Sequence, residues 1–103
     1  MHAVLTALAE PNRLAIMALL RDGERPAGDF VEALPVSQPA VSKHLSVLRE
    51  AGLVTVRKDA QRRLYSLNTA PLAELDAWLE PYRKFWINRL DALERHLDKE
   101  FPQ

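Results

Sequence analysis

No cysteine occurs among the 103 residues. Disulfides and thiolate metal sites are thereby excluded, and a cytoplasmic setting is the expectation. Glycine is scarce, with three in the whole chain, and none belongs to a glycine-rich phosphate loop. No run of 18 apolar residues occurs, so no membrane span is expected. The N-terminus lacks a basic segment followed by a long apolar run, so no signal peptide is expected. The paired histidines of a zinc protease helix are missing. Ser42 and His44 are two apart on a helical stretch and do not face each other, so no nucleophile–base pair is offered. These absences leave little room for an enzyme, and no cofactor is expected.

What remains is the composition of an ordinary globular domain, 48% apolar and 27% charged. The length suits one domain spanning 1–103. A domain of that size buries only part of its surface, so pairing with another copy would help it. No charge of one sign dominates, since 14 basic residues meet 14 acidic ones. The distribution is uneven, however. Residues 37–63 hold six bases (Lys43, Arg49, Arg57, Lys58, Arg62, Arg63) against two acids (Glu50, Asp59), a net +4, while the flanking segments each carry −2. A positive block inside a neutral chain gives a polyanion one face to find.

Local signals divide the chain into elements. His2 to Ala9 reads as a short helix. Pro11 suits the first position of the next, which runs to Gly23. "ERPAG" interrupts, and "DFVEAL" makes a brief helix. Ser37 is a natural N-cap for a helix over 38–51, closed by Gly52, and Pro39 is tolerated in its first turn. "LVTVR" and "RLYSL", joined by "KDAQR", predict a hairpin over 53–67, with Tyr65 and Leu67 anchoring it. From about 70 to 99 the chain is helical again, with a kink or short break expected at Pro81. Two helices, a tight turn and a two-stranded ribbon predict a mainly α fold with a β-hairpin wing, a winged helix-turn-helix.

On the 38–51 helix, Val41, Leu45 and Leu48 face inward at i, i+4 and i+7, leaving Pro39, Ser42, Lys43 and Ser46 outward and Gln38 at the N-terminal end. That face is short, polar and free of acid until Glu50. Gln bonds adenine in a bidentate way, and Lys bonds guanine or a phosphate. The helix N-terminus also favours an anion. His44 lies at the edge of the core face, where it either packs as a hydrogen-bonded histidine or reaches a phosphate. The ribbon adds Arg57, Lys58, Gln61, Arg62 and Arg63 for flanking phosphates or the minor groove. The predicted partner is double-stranded DNA, read by helix 38–51 in the major groove. The alternative is a winged-helix module that docks an acidic protein.

"LAEPNRLAIMALL", "SQPAVSKHLSVLREAGLV" and "RRLYSL" together resemble the ArsR-type family of bacterial winged-helix transcriptional repressors, over roughly Leu5 to Leu67. The resemblance implies a homodimer that binds a palindromic operator and releases it on a signal. It assigns DNA contact to Ser37, Gln38, Ser42, Lys43 and His44, and to Arg62 and Arg63 of the wing. It also implies that the first and last helices pair across the dimer, through Val4, Leu5 and Leu8 and through Leu75, Leu79, Tyr82, Trp86, Leu90, Leu93 and Leu97. The chain departs from the pattern in two places. Its wing tip reads "DAQRR" where many relatives have glycine. The family's metal-sensing cysteines would fall near Pro26 and Gly28, which cannot ligate a metal. Asp91, Glu94, His96 and Asp98 on the last helix read as solvent-facing charge, so no metal is expected.

The spacing of the C-terminal stripe, 4, 3, 4, 4, 3 and 4 from Leu75 to Leu97, draws one apolar face. Trp78, Tyr82, Phe85 and Trp86 concentrate aromatic surface there. Core or dimer interface is the plain reading; a pocket for a small apolar effector is the sharper one.

Overall fold

The computed structural model describes residues 1–100. Helix α1 spans His2–Leu8 and α2 spans Pro11–Leu19, followed by a 3-10 turn at Leu20–Asp22. A two-residue strand β1, Arg25–Pro26, leads into α3 at Ala27–Ala33. Helix α4 spans Gln38–Glu50, the strands β2 and β3 span Val54–Asp59 and Arg62–Leu67, and α5 runs from Ala70 to Glu100. The described residues form two compact units, 1–73 and the helical 74–100.

The caps explain where the helices begin and end. Glu10 accepts the Arg13 backbone N–H at 2.8 Å, starting α2 with Pro11 in the slot that needs no donor. Ser37 accepts the Ala40 N–H at 3.3 Å and starts α4 as predicted. At the other end of α4, Gly52 has φ +78°, its N–H bonds the Arg49 carbonyl, and the Leu53 N–H reaches the Leu48 carbonyl at 3.0 Å. That pair of bonds is the Schellman closure, which needs the left-handed conformation glycine adopts freely. Asn68 then ties the end of β3 to this corner. Its side chain donates to the Gly52 carbonyl at 2.8 Å and its backbone N–H bonds Leu53 O at 2.9 Å.

The core of residues 1–73 is apolar throughout. Ile16, Phe30, Val41, Leu48 and Leu53 are its largest fully buried side chains, and among the described residues no polar or charged residue is buried with them. Val41, Leu45 and Leu48 are the inward face of α4 that the spacing predicts. Tyr65 joins the same core and meets Phe30 edge to face, with ring centroids 6.3 Å apart. Val4, expected on a dimer surface, is 5% exposed and belongs to this core. Leu8 packs against it half-buried, and only Leu5 of that trio is exposed.

The sheet differs from the expected two-stranded ribbon. It has three antiparallel strands in the order β1-β3-β2, with Arg25 opposite Tyr65 and Pro26 opposite Leu64. "ERPAG" is therefore partly strand, and α3 starts two residues before "DFVEAL". Pro26 sits on an edge strand, where its missing N–H is tolerated. The wing turn is two residues, and Ala60 takes φ +56°, the left-handed region that favours glycine. Helix α5 is not split at Pro81. It passes through Pro81 as one 31-residue helix, without a break.

Candidate nucleic-acid interface

The exposed face of α4 carries Gln38, Pro39, Ser42, Lys43 and Ser46. No acid appears in the first turn, and the acid at the far end is Glu50. Pro39 has no N–H and the Ala40 N–H is taken by Ser37, so the first-turn amide left for an anion is that of Gln38. Short side chains along this face allow the helix backbone to come close to a flat or grooved partner.

His44 is drawn out of this set. Its side chain is 17% exposed. Its Nδ1 lies 3.3 Å from the Arg13 guanidinium and 3.7 Å from Glu10. Arg13 in turn donates from Nε to the Ala7 carbonyl at 2.6 Å. The ring therefore sits in the seam where α4 meets α1 and α2, packed among Arg13 and Glu10. Glu10 closes this seam. Partial desolvation pushes its carboxyl pKa up, but the Arg13 and Asn12 N–H groups, the Asn12 side chain and His44 outweigh that and hold it below the ordinary value.

The wing stands beside α4 with Lys58, Gln61, Arg62 and Arg63 exposed. Its cations fall into two groups. Arg57 donates from Nε to Glu24 at 2.9 Å and makes a second bond to the other carboxylate oxygen, while the Ser66 hydroxyl donates to Glu24 at 3.4 Å. The Arg57 guanidinium holds the Glu24 carboxyl below the usual range and is itself raised by it. Arg62 bonds Asp59 at 3.2 Å. Among the described residues, Lys43, Arg49, Lys58 and Arg63 have no such carboxylate partner. Arg57 thus braces the wing stem. Arg49 was not singled out in the sequence, although Ser42, Ser46 and Arg49 share one face at i, i+4 and i+7. Glu24 left no sequence signal, because its partners lie 33 and 42 residues away.

From Glu74 onward, α5 buries none of its residues. Trp86 is 67% exposed and Leu90 63%. Leu93 and Leu97 continue the exposed face, and Leu75 and Leu79 are half-buried. Trp78, Leu79, Tyr82, Phe85 and Trp86, with Arg83, line an apolar groove of about 550 Å³. Arg83 is fixed there by Asp76 and by Glu80 at 2.7 Å. Among the described residues, no single helix is long and apolar enough to cross a membrane.

A helix-turn-helix pair with a basic three-stranded wing and an acid-poor exposed helix defines a winged helix-turn-helix DNA-binding protein. Residues 10–56 match the family described as bacterial regulatory protein, arsR family. The HTH-type transcriptional regulator Rv2034 of Mycobacterium tuberculosis is 40% identical over 91% of this chain and 85% of its own length. The transcriptional repressor SdpR of Bacillus subtilis is 35% identical over 77% of this chain and 88% of its own. A crystal structure of a possible transcriptional regulator for arsenical resistance superposes with a TM-score of 0.70 at 40% identity, covering 93% of this chain and 96% of that one. The chain belongs to the ArsR family of DNA-binding transcriptional regulators, and it is not an enzyme. The alternative of a module for an acidic protein gives way to this.

Proposed function

We propose that the chain is a cytoplasmic homodimeric repressor of its own or a neighbouring operon, bound to a palindromic operator. The observation that carries the reading is the acid-poor outer face of α4 flanked by the unpaired cations of the wing. Gln38, Pro39, Ser42, Lys43 and Ser46 enter the major groove, with Gln38 and Lys43 reaching base edges or phosphate. Lys58, Gln61, Arg62 and Arg63 follow the flanking backbone into the minor groove. Ser37, His44 and Arg57 act from behind, as cap, seam and brace. SdpR, named a repressor, supports the direction of control. The exposed stripe of α5 supports a dimer, with Leu5 of α1 as a further candidate. A two-fold pair sets its reading helices about 34 Å apart, one turn of DNA. With no cysteine in the chain, any inducing signal is taken up without thiolates. The aromatic groove on α5 is the place for a small apolar effector.

Gel-shift titration with the chain's own upstream region tests this. That DNA should bind more tightly than random DNA of equal length. Gln38→Ala should cost about 1–3 kcal/mol and relax preference at one base position per half-site. Equal binding of random and upstream fragments would overturn the reading.

A further inference from the structure

An open groove of about 250 Å³ lies between the last turn of α4 and the wing, lined by Arg49, Val56, Arg57, Lys58 and Arg63. Four of these five residues are cationic. Lys58 and Arg63 are directly opposite each other in the β2–β3 ladder. Like charges directly opposite across a ladder destabilise it. The next pair outward, Asp59 and Arg62, is of opposite sign and bonded. The hairpin therefore carries a favourable pair at its tip and a repulsive pair one step inward, next to Arg49. Among the described residues, none of Arg49, Lys58 and Arg63 meets a carboxylate that would relieve the repulsion. Glu50, the adjacent acid, does not line the groove.

A helix in the major groove and a ribbon in the neighbouring minor groove must straddle the phosphate strand that separates the two. We infer that this groove is the seat of that strand, and that Arg49, Lys58 and Arg63 together hold one of its phosphodiesters. The inference rests on the DNA-reading geometry proposed above. It adds Arg49, at the far end of α4, to the residues in contact. Arg57, though part of the lining, alternates with Lys58 along β2, and its guanidinium is committed to Glu24. Its guanidinium fixes the stem, and the other three cations are left for the ligand. The phosphate would neutralise the Lys58–Arg63 repulsion, so the wing is expected to order more firmly when DNA is bound.

The test is fluorescence anisotropy of the full chain with a random-sequence 30-base-pair duplex, titrated at several salt concentrations. Phosphate contacts are independent of sequence, so the operator is not needed. Arg49→Ala should weaken binding several-fold and lower the slope of log K against log salt by about 1 for each copy bound. Lys58→Ala and Arg63→Ala should do the same. Arg49→Lys should restore the slope, because the charge is kept. Arg21→Ala, which removes an exposed cation outside the groove, should leave both quantities unchanged. An Arg49→Ala variant with an unchanged thermal midpoint and the wild-type slope would overturn the inference while leaving the DNA-binding reading intact. Wild-type chain that binds no duplex at low salt would instead overturn that reading, and this inference with it.

Discussion

At the scale of single residues, the positive block of 37–63 is less uniform than its count suggests. Arg57 and Arg62 are committed to acids, and Lys43, Arg49, Lys58 and Arg63 are not. Most exposed ion pairs contribute little, but a two-pronged arginine–carboxylate contact is the geometry in which they do contribute. Glu24 has that geometry, and its pKa is lowered chiefly by the hydrogen bond from Arg57. A glutamate whose folded pKa lies below its unfolded value stabilises the fold above the unfolded value, about 4.3. The contribution is lost as pH falls through the folded value. Glu24→Gln should therefore lower the thermal midpoint at pH 7, and the gap from wild type should close as the pH falls through the folded pKa of Glu24. A gap that persists into acid would mean that the carboxylate charge is not what braces the stem. The block's sum was legible in the sequence. Its division was not, because Glu24 meets Arg57 only after β1 has paired with β3.

Elements were legible where their signals are local. Ser37, Pro39 and Gly52 mark α4 within a residue of its observed ends, because capping is a contest among neighbouring backbone groups. Strand β1 escaped notice for the opposite reason. Two residues, one of them proline, have no periodicity, and only the partner strand some 40 residues on makes them a strand. Pro81 marks a kink or a break in sequence, and of the two the break does not occur. A proline in a helix interior removes one hydrogen bond and crowds the carbonyl four residues back, about 3 kcal/mol against alanine. Within a helix of 31 residues that loss is spread over intact turns on both sides, and the helix continues. Pro81→Ala should raise the stability of α5 by up to about 3 kcal/mol, read as a later helical transition in thermal circular dichroism. An unchanged transition would mean that neighbouring contacts already absorb the cost.

For the whole molecule, the apolar face of α5 stands exposed at Trp86, Leu90, Leu93 and Leu97. The proposed cover is a second copy. Burying a leucine contributes roughly 1.5–3 kcal/mol, and a two-fold interface counts Leu90 twice. Leu90→Asp should therefore raise the dimer dissociation constant about a hundredfold or more, seen by sedimentation as monomer at micromolar concentration, with operator affinity falling in parallel. Wild-type chain sedimenting as monomer at that concentration would refute the pairing. The core of residues 1–73 has a further consequence. It contains no buried polar or charged residue, so apart from the Tyr65 hydroxyl no side chain inside it brings a hydrogen-bonding group. Such an interior constrains volume and little else. The outer face of α4 is then free to drift in sequence without unsettling the scaffold, and under the proposed DNA-reading role a gene duplicate acquires a new target by altering Gln38, Ser42 or Ser46 alone.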